Sequence, residues 1–182
     1  MKIWNKIPIK DNGDKLIALP SYLNFLDPHP YSHLGAPYKD KTSIWKLREE
    51  VVNRLIKVND YLISKNSFYL LIYDSWRPLE VQEFMFKRAF LLECEKSDID
   101  ASLKNMKSYP SILKKVEKFW AYPSFDSRCP PPHSTGGALD VCLSDKYGNL
   151  VEMGSKVDQM DETSNPDYYE KVNNEEALIW NS

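Results

Sequence analysis

The run Pro131-Pro132-His133-Ser134-Thr135-Gly136-Gly137-Ala138-Leu139-Asp140-Val141-Cys142-Leu143 sets an imidazole and a carboxylate seven positions apart, on either side of a glycine pair. Fully extended, that stretch would hold the two side chains roughly 23 Å apart, too far for both to touch one ion or one substrate atom. The chain must double back between them, and Gly136-Gly137 permits it, because glycine reaches positive φ without a Cβ clash. Beyond the turn, strand alternation puts Ala138, Asp140 and Cys142 on one face and Leu139, Val141 and Leu143 on the other. A carboxylate flanked by small residues leaves room for a ligand. Neutral imidazole with carboxylate is an ordinary part of a zinc coordination set.

A second charged position stands out against apolar surroundings. Residues 68–73, Phe-Tyr-Leu-Leu-Ile-Tyr, form a continuous apolar and aromatic run that predicts a central strand covered on both faces. The run stops at Asp74-Ser75-Trp76-Arg77-Pro78. Pro78 keeps Arg77 out of the helical region and suits the first turn of a helix from about Leu79 to Cys94, with Val81, Phe84, Met85, Arg88 and Leu92 in period. Arg77 thus lies between a strand end and a helix start, a place from which charged groups point into clefts. A surface Arg paired with Asp74 is an equal alternative.

The elements around these residues read as one α+β domain, a small, mostly antiparallel sheet flanked by helices. Thr42 or Ser43 would cap a first helix in which Ile44, Leu47, Val51, Leu55, Val58 and Leu62 fall at steps of three and four, ending near Lys65-Asn66. Residues 95–110 read as a polar loop and 111–120 as a short helix. The Pro-rich segment 122–132 is a stiff approach to His133. Residues 144–149 predict a hairpin turn, 150–153 a returning strand, and 173–180 the start of another helix. In the first forty residues no period holds. His29 and His33 have ligand-like i, i+4 spacing, but Pro28 and Pro30 argue against a regular helix, so both are expected to be ordinary loop histidines. Tyr22, Phe25, Tyr31 and Tyr38 are expected to cover the core, with a pocket wall as the alternative.

Composition narrows the class of function. The chain has 182 residues, 42% of them hydrophobic, enough for one substantial core. A net charge of -2, with Lys and Arg scattered along the chain, argues against nucleic acid as a partner. No apolar run approaches the length of a membrane span, and the first residues lack a signal-peptide pattern, so a soluble cytoplasmic protein is expected. Cys94, Cys129 and Cys142 make no CxxC and no even framework, which points to free thiols.

His133-x-x-Gly136-x-Ala138-x-Asp140 resembles the zinc motif of the D-alanyl-D-alanine dipeptidases, within a wider group of zinc peptidases that cleave bacterial cell-wall peptides. Two more stretches are similar, in the same order. Tyr73-Asp74-Ser75-Trp76-Arg77-Pro78 resembles the family's strand-end Arg motif, and Met153-Gly154-Ser155-x-x-Asp158-x-Met160-Asp161 resembles its downstream Met-Gly segment. The resemblance implies that His133 and Asp140 bind one zinc ion, that Arg77 stabilises the transition state, and that Asp158 holds the free amino group of a small dipeptide substrate. Pro131 stands where the wider pattern has Ser, and Val157 where the dipeptidases have an aromatic. The family also carries a C-terminal Glu-x-x-His, supplying the general base and a third zinc ligand. No His follows His133 here, so the expectation is a chain lacking that segment and a poor catalyst. A non-enzymatic remnant, or a module that binds dipeptides without cleaving them, is the alternative.

Overall fold

A computed structural model describes residues 7–40, 44–156, 158–165 and 167–171. Its elements are β1 (Leu16–Ala18), β2 (Asn24–Phe25), α1 (Pro30–His33), β3 (Lys46–Arg48), α2 (Glu49–Asn66), β4 (Tyr69–Asp74), α3 (Leu79–Lys96), α4 (Pro110–Phe119), β5 (Asp140–Ser144) and α5 (Tyr168–Lys171), with 3-10 turns at Leu103–Ser108, Pro132–Thr135 and Glu162–Ser164. The α+β class expected from sequence is what forms. The sheet, however, comes as two small pieces, β1-β3 and β2-β4-β5. β2 runs parallel to β4, and the other two pairings are antiparallel. Of the returning strand expected at 150–153 only a single bridge forms, Ser144 to Leu150.

The first helix starts later than its periodicity suggests. Lys46–Arg48 is a strand because the neighbouring backbone takes its hydrogen bonds: Leu19 N donates to Trp45 O, Trp76 N to Lys46 O, and Arg48 N to Gly136 O. Ile44 and Leu47 fit a helical stripe and a strand face equally, and tertiary pairing decides. The helix then begins at Glu49, where the Asp14 carboxylate accepts from Glu50 N and the Lys15 carbonyl from Glu49 N. These contacts satisfy orphan donors that no side chain of Arg48 caps. Thr42 and Ser43 lie outside the described residues, as do Val157 and residues 172–182.

Helix α2 covers one side of the sheets, burying Val52 and Leu55 against Leu19, Leu47, Leu70 and Ile72, with Leu139 and Leu143 of the β5 region at the margin. Its buried Asn59 accepts from Leu70 N at 3.0 Å and so fixes the start of β4. Helix α3 mixes apolar and charged residues around its circumference, so its period does not name its inner face. Phe86, Ala89, Phe90 and Cys94 are buried against α4, while Leu91 and Leu92 face solvent. The segment expected to be a loop before α4 contains the 3-10 turn Leu103–Ser108, opened by a reciprocal Ser102–Asn105 cap. No described helix is long and apolar enough to cross a membrane.

The reversal between His133 and Asp140 falls where the glycines permit it. Gly136 has φ 74°, and a Cβ there would come within 2.7 Å of Leu16 Cδ1. Arg48 fastens this turn to the small sheet, its Nε donating to Thr135 O at 2.8 Å, while its other end reaches Asp14 O and Asp11. Gly136→Ala combines a left-handed backbone with a clash, and is expected to lower stability by about 2 kcal/mol or more in a urea unfolding curve. A loss below about 0.5 kcal/mol, the range of neutral surface changes, would refute this account of the turn.

Candidate active site

Strand β4 ends in an irregularity that decides what faces what. The β4–β5 register runs evenly from Tyr69↔Ser144 to Ile72↔Val141 and then shifts, so that Asp74, rather than Tyr73, stands opposite Asp140. A bulge of this kind re-aims one side chain at a strand end. The chain leaving β4 is stitched to the turn carrying His133: Arg77 N donates to His133 O at 3.2 Å, and Trp76 Nε1 to Ser134 O at 3.3 Å.

Asp74 is fully buried. Its Oδ2 accepts from Arg77 Nη2 at 2.6 Å and Nε at 3.1 Å, and lies 3.2 Å from His133 Nδ1. Its Oδ1 accepts from the Tyr38 hydroxyl at 3.4 Å and lies 3.3 Å from His29 Nε2. Burial works against the charge, but the adjacent His133 and His29 rings and the Arg77 guanidinium hold this carboxyl far below the usual carboxylate range.

His133 Nδ1 also lies 2.9 Å from the Ser75 carbonyl. Both partners of Nδ1 only accept, so Nδ1 carries a hydrogen and Nε2 faces Asp140 Oδ1, 3.5 Å away. Burial pushes the ring down, yet the bonds to Asp140 and Asp74 prevail and raise it to about 9. His133 Nε2 and Asp140 Oδ1 thus face each other across a gap where a cation could sit. Asp74, His133 and Asp140 each place a donor atom within 4.8 Å of the others, a grouping compatible with a metal ion. Chemistry divides the three. Both oxygens of Asp74 are taken by partners inside the protein, whereas Asp140, 38% exposed, opens toward solvent. His133 Nε2 and Asp140 are the pair that could hold the ion, and Asp74 orients the imidazole from behind.

Arg77 is buried and paired with Asp74, so each of the two readings open from sequence captures one part of its environment. Its Nη1 donates to Gln82 Oε1 at 2.8 Å, and the Gln82 amide is itself fixed by donating to Ala121 O at 2.6 Å. The guanidinium lies over the rings of Tyr31 and Trp120, with centroids 4.7 and 5.3 Å away. After these bonds one hydrogen remains on each terminal nitrogen, and Nη2 is 3.6 Å from Asp140 Oδ2. Asp158, at φ 60°, accepts from the Tyr31 hydroxyl at 3.1 Å. The residue is exposed as a whole, but its carboxyl is raised by loss of solvent around it; the Tyr31 hydrogen bond opposes this and the Asp140 charge adds to it.

The fold thus gathers His133, Asp140 and Arg77 and links Asp158 to them through Tyr31. Reading the sequence missed much of the support. Gln82 has no signal, being one of several polar residues in its helix. His29 is no loop histidine: it is buried and caps the one-turn helix α1, whose first residue is Pro30. Tyr31 and Tyr38 do cover core, as expected, but both hydroxyls also bond cleft carboxylates, while Tyr22 is exposed. Two cavities of about 450 and 290 Å³, one beside Phe25 and Trp45 and one beside Phe86 and Tyr122, include none of the four residues. Here cavity size does not mark the chemistry.

Comparison with known proteins identifies the family. The profile of the peptidase M15 family, described as D-ala-D-ala dipeptidase, matches residues 28–178. Over 174 residues the chain is 34% identical to a protein of Synechocystis sp. named D-alanyl-D-alanine dipeptidase, which covers 94% of this chain and 70% of that protein. No solved structure matches. The matched span takes in β4, the turn at His133, β5 and Asp158, and on that basis the chain belongs to the D-ala-D-ala dipeptidase family.

Proposed function

We propose that this protein hydrolyses D-alanyl-D-alanine, with one zinc ion held by His133 Nε2 and Asp140. The observation that carries the reading is a buried Arg77 clamped beside that pair with free N–H groups left over. Zinc bound there would supply a Lewis acid that polarises the scissile carbonyl and makes water a usable nucleophile near neutral pH. Asp74 keeps the His133 hydrogen on Nδ1 and so keeps Nε2 available. Arg77, fixed by Asp74, Gln82 and two rings, needs no reorganisation to donate to the oxygen on which charge develops. Asp158 would receive the substrate ammonium, since a carboxylate short of solvent gains from a cation. Selection for a free amino terminus would follow.

A second reading, dipeptide binding without turnover, draws on the state of the cleft carboxylates. Among the described residues Asp74 is enclosed, Asp140 faces His133, and Asp158 holds Tyr31, so none stands free as a general base. Calorimetry with D-alanyl-D-alanine, alongside an assay for released D-alanine, separates the two. Heat with chelator-sensitive product supports the first reading, and heat without product the second.

Three substitutions test the assignments. His133→Ala is expected to lose the zinc found by elemental analysis in the parent protein, and unchanged stoichiometry would remove His133 from the metal. Arg77→Ala is expected to lower kcat by about a hundredfold with a smaller change in KM, as for other oxyanion donors. A change confined to KM would make Arg77 a substrate-binding group instead. Asp158→Ala is expected to weaken cleavage of the free dipeptide far more than that of its N-acetylated analogue. Equal losses on both would assign Asp158 to support of the fold.

A further inference from the structure

His29 belongs neither to the metal pair nor to the cradle of Arg77, yet it is 6% exposed and turned toward Asp74. Its tautomer follows from its partners. Nδ1 accepts from Tyr31 N at 3.2 Å and from Ser32 N at 3.3 Å, so in the neutral ring the hydrogen sits on Nε2. That Nε2 is buried and has no hydrogen bond of full geometry; Asp74 Oδ1, 3.3 Å away, is an acceptor within its reach. A buried donor without an acceptor is costly, which favours that contact. Trp45, Tyr38 and Tyr31 pack the ring at centroid distances of 4.5, 5.2 and 5.8 Å and leave it little freedom to turn away.

We propose that His29 is a positioning residue: by holding Asp74 Oδ1 it dedicates Oδ2 to Arg77 and His133, and so aims His133 Nε2 at the metal position. A carboxylate held on one oxygen alone can rotate and blur the direction of every group bonded to it. With Oδ1 engaged by His29 and Tyr38, Oδ2 stays between the guanidinium and the imidazole. The inference rests on the zinc dipeptidase reading for its consequence, but its geometry can be tested apart from that reading. The competing role for His29 is only to cap α1.

The two roles use different ring nitrogens, and two substitutions separate them. His29→Asn keeps an acceptor near Nδ1 and loses the donor to Asp74; His29→Gln keeps a donor near Nε2 and loses the cap. Positioning predicts that His29→Asn weakens zinc binding by about tenfold or more, as loss of a group orienting a metal ligand does, and lowers kcat with little change in KM. His29→Gln should then retain zinc affinity close to the parent, even where its melting temperature falls. The reverse order, or equal losses in both, overturns the proposal. Nitrogen-15 NMR of the unsubstituted, metal-free chain supplies an arm that needs no variant to fold. A His29 ring carrying its hydrogen on Nε2 is expected, and a hydrogen on Nδ1 overturns the proposal. Absence of dipeptide hydrolysis would overturn the peptidase reading alone, because zinc affinity and the His29 tautomer are read without substrate.

Discussion

A carboxylate with no access to water dictates the organisation of this protein. Asp74 is enclosed at the end of β4, and an ionised group there is tolerable only if donors surround it. They come from four directions: α1 brings His29, the segment after it Tyr38, the entry to α3 Arg77, and the turn before β5 His133. Two of these donors, Arg77 and His133, also face the cleft. The same contacts that neutralise a buried charge therefore aim the groups that would do chemistry, so stability and geometry at this point are one constraint.

Around that centre the cleft has a hard side and a soft side. Arg77 is held on three of its nitrogens and packed against two aromatic rings, and Gln82 is locked by Ala121 O. Asp140 and Asp158 keep contact with solvent. A dipeptide would meet fixed donors on one face and accessible carboxylates on the other. On the proposed reading, preorganisation would lie where charge develops, and exposure where the substrate enters and leaves.

Much of this was legible in the sequence, for identifiable reasons. Gly136-Gly137 between His133 and Asp140 announced a reversal because few residues tolerate its backbone. Pro78 announced the passage from β4 to α3 because it constrains both its neighbour and itself. What stayed hidden was information that exists only between distant segments. Ile44 and Leu47 satisfied two periodicities, and only pairing with β1 and its flank chose between them. The register shift after Ile72 has no local signature, yet it brings Asp74 opposite Asp140. His29 looked ordinary between two prolines because its partners, Asp74 and Trp45, are far along the chain. Gln82 was invisible for the same reason: its carbonyl and its amide each bond a group outside its own helix.

The stitching of β4 to the His133 turn also bears on how the molecule folds. Ser75 and His133 are 58 residues apart, with α3 and α4 between them. Contacts of such separation require closing a long loop and form slowly compared with helices or their local packing. While the chain is growing, Asp74 and Arg77 can pair with each other, but their enclosure waits for the segment from Pro132 to Ser144 to dock. The edge of β4 that β5 will cover stays open until then, a template for pairing with another chain. Delay at the Gly136 turn would therefore appear first as aggregation during synthesis, before any defect in the finished protein could be measured.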